Sequence, residues 1–170
     1  MTKAMKHILK KLIILSSLFH PSQAHAQAEF TDIDGVVVYS EYYPNPQSRF
    51  KGTIVFQNGS GASLKEWTDS AIFLKCIRQQ GNALMYDRNG LGKSPPDFSI
   101  SSDKPITAQL VNSKLIKLLR TKQIQAPYIL VSHSYGGLYA GYFARKQPEL
   151  VAGMLMIDPV PRSYQYANQI

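Results

Sequence analysis

The chain has 170 residues, 44% hydrophobic and 18% charged, a composition that fits one folded globular domain and excludes a disordered or fibrous protein. Its formal charge is +8, but four lysines within residues 1–26, which hold no acidic residue, leave +4 on the remainder; Lys and Arg are scattered there, which excludes a nucleic-acid footprint. The single cysteine, Cys76, rules out an internal disulfide, so the core must carry stability.

The first residues read as a leader. Lys3, Lys6, Lys10 and Lys11 precede a short apolar run from Leu12 to Phe19, and Ala24-His25-Ala26 is a small-x-small cleavage site. This predicts a signal peptide over residues 1–26 and a secreted or periplasmic domain over 27–170. The cut falls after Ala26 or, because Ala26-Gln27-Ala28 repeats the pattern, after Ala28. The run is too short for a membrane anchor, which needs about 20 apolar residues.

Phe30 to Asp34 and Val36 to Tyr42, joined at Asp34-Gly35, form the pattern of a β-hairpin. Tyr43 to Ser48 is a loop. Thr53-Ile54-Val55-Phe56 is an unbroken apolar run with β-branched residues, as a strand buried on both faces requires. It ends in the Gly-rich stretch Gln57-Asn58-Gly59-Ser60-Gly61-Ala62. Ser63-Leu64-Lys65-Glu66 has capping-box spacing and precedes Trp67, Phe73, Leu74 and Ile77, predicting one helix to about Gln79 with Gly81 past its end. Cys76 falls within that pattern and is expected to be a buried small hydrophobe. Asn82 to Tyr86 is the next strand.

The following turn, Asp87-Arg88-Asn89-Gly90-Leu91-Gly92-Lys93-Ser94, has two glycines at dinucleotide-loop spacing. The third glycine position holds Pro95, so no phosphate cradle is expected. Asp87 and Arg88 read as structural. After a polar loop to Pro105, Thr107 opens a helix with Leu110, Leu115, Leu118 and Leu119 on one side and Lys114, Lys117, Arg120 and Lys122 on the wet side.

Tyr128-Ile129-Leu130-Val131 is a strand that runs into Ser132-His133-Ser134-Tyr135-Gly136, and a helical pattern continues to Ala144. A serine at the apex of a strand-to-helix turn, crowded by small residues, is a nucleophile elbow. Gly136 supplies the small residue on one side, and Ser132 stands where glycine is usual on the other. The helix that follows points N–H groups at the place where an oxyanion would develop. Met154-Leu155-Met156-Ile157 is a further buried strand, closed by Asp158-Pro159. Strands alternating with helices predict an α/β fold with a mostly parallel sheet covered on both faces.

The Gly-rich loop, the D-R-x-G-x-G-x-S turn, the serine elbow and the strand ending in aspartate occur in the order of one family. From about Glu29 onward the chain resembles the N-terminal half of an α/β-hydrolase, in the serine-nucleophile branch of esterases, lipases and peptidase-like enzymes. The resemblance implies a fold truncated after about the sixth strand, with core motifs in 53–158. It implies Ser134 as nucleophile and an oxyanion hole formed by Tyr135 N–H with Ser60 N–H or Gly59 N–H. Asp158 would be structural, or the acid that orients the catalytic histidine, as in a minority of relatives.

The family's chain order is Ser, acid, His. Histidine occurs at 7, 20, 25 and 133, so none follows Ser134, and His133 is expected to point away from the nucleophile. The expected function is hydrolysis of carboxylic esters or related small acyl compounds, by ancestry. No metal, organic cofactor, nucleic acid or stable membrane anchor is expected. The alternative is a catalytically incomplete truncated product or a non-enzymatic binding module, because the histidine is missing. The last strand would then be an unpaired apolar edge through which the chain self-associates.

Overall fold

The computed structural model of the protein describes residues 26–161. The expected signal peptide and residues 162–170 lie outside them. The chain forms β1 (Gln27–Ile33), β2 (Val36–Tyr43), β3 (Thr53–Gln57), α1 (Lys65–Thr68), α2 (Ala71–Gln80), β4 (Asn82–Tyr86), α3 (Ala108–Thr121), β5 (Tyr128–His133), α4 (Gly136–Lys146), a 3-10 turn at Pro148–Leu150, and β6 (Val151–Ile157). Strand order is β1-β2-β4-β3-β5-β6. The hairpin pairs antiparallel and joins β4 antiparallel, while β3, β4, β5 and β6 run parallel. This is the mostly parallel α/β sheet that the sequence predicts.

Period-2 alternation splits the central strands between two cores. Ile54, Phe56, Ala83, Met85 and Val131 face Leu64 and Trp67, while Val55, Leu84, Tyr86 and Leu130 face Leu115, Leu118 and Phe143. Among the described residues β6 stands at the sheet edge, with Met154, Leu155 and Ile157 exposed rather than buried as expected.

The hairpin turns at Asp34 and Gly35, both at positive φ (56° and 80°), the conformation a two-residue turn between twisted strands demands. The single helix expected after Ser63 is instead two. Asp69 N–H closes α1 on Lys65 O at 3.0 Å, then Ser70 goes extended and its Oγ accepts from Phe73 N–H at 3.3 Å to start α2. The break brings Trp67 onto Phe56, their ring centroids 5.0 Å apart, while Phe73 approaches the same ring. Cys76 is exposed, contrary to expectation: α2 turns Phe73, Leu74 and Ile77 toward the sheet, and Cys76 projects on the other side.

Candidate active site

Packing without side chains builds the elbow. Ser134 and Tyr135 alone separate β5 from α4. Gly136 opens α4 directly on the end of β3; a Cβ there would lie 2.3 Å from Gln57 O, so only glycine fits. Ser134 takes φ of 49°, a left-handed conformation that costs a residue with a side chain about 1–2 kcal/mol. Its N–H donates to Ile157 O at 3.0 Å, and its carbonyl accepts from Gly137 N–H at 3.0 Å and Val160 N–H at 3.2 Å. The strain is thus held by β6 on one side and α4 on the other.

The loop after β3 abuts this turn. A Cβ on Gly59 would lie 3.6 Å from Ser134 Cβ and 3.2 Å from His133 Nδ1. Arg88 donates to Asn58 O at 2.8 Å and Gly59 O at 2.5 Å, and its guanidinium lies 5.1 Å from the Tyr139 ring centroid. Asn58 accepts from Trp67 Nε1–H at 2.7 Å and donates to Tyr86 O at 2.9 Å. Of the two loop candidates for an oxyanion donor, Gly59 N–H donates to Glu66 Oε2 at 2.9 Å in this structure. Ser60 N–H and Tyr135 N–H carry no hydrogen bond among the described residues.

The remaining site candidates do not assemble. His133 Nδ1 pairs with Glu66 Oε1. His133 thus turns to α1, and no hydrogen bond joins it to Ser134 among the described residues. Asp158 follows β6 at φ of 44°, exposed and without a hydrogen bond or ion pair among the described residues. Asp87 is spent on the backbone, accepting from Leu64 N–H at 2.6 Å and Lys93 N–H at 2.8 Å. Glu66 was legible only as a capping residue, yet α1 is capped at Leu64 without a side-chain bond. Among the described residues no group of His, Cys, Asp and Glu is placed to hold a metal ion.

A cavity of about 390 Å³ opens beside Ser60 and Tyr135. Leu91, Ile106, Leu110, Val111 and the rings of Tyr86 and Tyr139 are among its walls. The charged groups there are matched. Lys114 pairs with Asp97 and donates to Asn89 Oδ1 at 2.9 Å. Lys114, with the hydroxyl and N–H of Ser99, holds the Asp97 carboxyl down at about 2. Complete burial pushes the Tyr86 phenol up to about 12, and its O–H donates to Gln57 Oε1 at 2.9 Å. What the cavity offers a ligand is apolar and aromatic surface.

A mostly parallel α/β sheet with a left-handed serine between β5 and α4, faced by the loop after β3, is the α/β-hydrolase fold. No family model matches the chain. It is 35% identical over 107 residues to the uncharacterized protein YqjL of Bacillus subtilis, covering 63% of this chain and 39% of that one. To the abhydrolase domain-containing protein abhd-5.2 of Caenorhabditis elegans it is 32% identical over 130 residues, covering 76% and 28%. Among solved structures it matches wild-type Cfl2 of Burkholderia cenocepacia with a TM-score of 0.67 and 23% identity, over 84% of this chain and 47% of that one. The chain spans less than half the length of each of these three. It belongs to the α/β-hydrolase family.

Proposed function

We propose that this protein is a secreted or periplasmic serine hydrolase of carboxylic esters or related acyl compounds. Ser134 attacks the acyl carbonyl, and Ser60 N–H and Tyr135 N–H receive the developing oxyanion. The observation that carries this reading is the left-handed Ser134 beside two amides that carry no hydrogen bond among the described residues. The apolar cavity at Ser60 and Tyr135 favours an uncharged acyl or alcohol group. The leader sequence supports export.

A second reading, a non-catalytic binding module, is favoured by the state of the acid–base groups. His133 is engaged by Glu66, and Asp158 carries no hydrogen bond or ion pair among the described residues. An oxyanion hole with a bound substrate still accelerates reaction roughly 10³-fold over water when triad members are removed. The full chain is therefore expected to hydrolyse p-nitrophenyl acetate slowly, by roughly that factor over buffer, a residual that survives Ser134→Ala because it needs no nucleophile; the nucleophile is read separately by covalent fluorophosphonate labelling, which Ser134→Ala abolishes. A wild-type chain that the fluorophosphonate does not label at Ser134 would leave the binding-module reading standing.

A further inference from the structure

Glu66 bonds to two groups, and neither is in its own helix. One oxygen accepts Gly59 N–H from the loop after β3, and the other pairs with His133 at the end of β5. His133 immediately precedes Ser134. The carboxylate therefore spans the two segments that carry the free amides, Ser60 on one and Tyr135 on the other.

The peptide planes show what that link fixes. A trans peptide is rigid, with its C=O and N–H pointing in opposite directions. In the plane joining Asn58 to Gly59, the carbonyl is held by Arg88 Nη1 and the N–H by Glu66, so both ends are clamped. In the next plane, joining Gly59 to Ser60, Arg88 Nη2 holds the carbonyl, which also accepts from Ala62 N–H at 3.4 Å, and the N–H carries no hydrogen bond among the described residues. The direction of Ser60 N–H follows from these four bonds and the two torsions of Gly59 between them. Glycine resists neither torsion by itself, because it has no Cβ. An external tie must supply the rigidity. β3 pairs with β5 as far as Gln57 and Ser132; beyond that point Arg88 anchors both planes to the turn after β4, and Glu66 ties them to His133 on the strand that carries Ser134.

We propose that Glu66 is a positioning residue, which holds Ser60 N–H at a fixed place relative to Ser134 and Tyr135 N–H by tying the loop to His133. This rests on the serine-hydrolase reading above. Removing an oxyanion donor costs roughly 10²–10³ in rate, and loosening one costs part of that. Glu66→Ala breaks both bonds. Glu66→Gln keeps an oxygen that accepts Gly59 N–H while losing the carboxylate that His133 pairs with.

The test uses the full chain, its Glu66→Gln and Glu66→Ala variants, and Ser134→Ala as control. Amide exchange by NMR reads the tie directly. The Gly59 amide is protected in the wild type, exchanges about tenfold faster or more in Glu66→Ala, and stays largely protected in Glu66→Gln. Reaction with a fluorophosphonate and turnover of p-nitrophenyl acetate read its consequence. Labelling at Ser134 slows about tenfold in Glu66→Ala and less in Glu66→Gln, with the loss in kcat and KM unchanged, as for an interaction made only in the transition state. Loss of Gly59 protection with an unchanged Ser134 rate overturns the positioning role alone. Unchanged Gly59 protection in Glu66→Ala overturns the tie itself. A wild-type chain with a protected Gly59 amide and no Ser134-dependent reaction overturns the hydrolase reading, and reduces Glu66 to a structural clamp.

Discussion

Ser134 bears its cost in its own backbone. At φ of 49° an alanine would meet the same clash between Cβ and carbonyl that the serine meets, whereas glycine would not. Glycine returns part of the gain through the greater freedom of the unfolded chain. Ser134→Gly is therefore expected to be more stable than Ser134→Ala by about 0.5–1 kcal/mol, measured by urea unfolding. Equal stabilities would mean that the elbow carries no strain. The serine and its turn were legible because the small residues around it report crowding directly. Glu66 and His133 were not. S-x-x-E spacing describes a local bond, and the bonds Glu66 makes bridge from α1 to residues 59 and 133, which no local spacing encodes. Cys76 was misread for a related reason, since α2 buries a narrow stripe and the apolar pattern alone did not say where that stripe ends.

At the scale of elements, the site depends on how closely α4 lies on β3. Gly136 sets that distance, and a methyl group there meets Gln57 O at 2.3 Å and Asn58 O at 2.7 Å, both backbone atoms in the segment that carries the loop. Neither can yield without moving the strand end. Gly136→Ala is expected to destabilise the fold by about 1–3 kcal/mol, the usual range for overpacking. It should also slow labelling of Ser134 by more than the unfolded fraction explains, because the helix that carries Tyr135 N–H shifts off the loop that carries Ser60 N–H. A thermal melt paired with fluorophosphonate labelling separates the two effects. Most elements were legible from periodicity and turn residues: the Asp-Gly hairpin, the apolar strands and the helix that Thr107 caps. The break at Ser70 was not, because it serves Trp67 and its indole bond to Asn58, a contact from a helix to a strand end. Strand order was not legible either. Periodicity says that β4 is buried, and only packing places it between β2 and β3.

Over the whole molecule, one buried ion pair links the long loop between β4 and α3 to the helix it precedes. The Asp97 side chain is 2% exposed and that of Lys114 17%, whereas the helix's other two acidic partners, Asp34 with Lys117 and Glu29 with Lys122, are 67% and 53% exposed. Exposed pairs of that kind contribute little. Asp97 differs because Lys114 and Ser99 hold its carboxyl at about 2 in the folded chain, below the ordinary 3.8. The unfolded chain therefore takes up this proton at a higher pH than the folded one, and acid favours unfolding. The contribution is complete above about pH 4, shrinks as pH falls from there, and is gone below about pH 2. Asp97→Asn should accordingly lower the urea midpoint at pH 7, and the gap between wild type and variant should close as the pH is taken from about 4 to 2. The loop residue Ile106 and the helix residues Leu110 and Val111 wall the cavity, so the same variant should also loosen it at neutral pH. A gap that stays constant with pH would show that the Asn variant loses packing rather than charge, and that the pair does not hold the loop to α3.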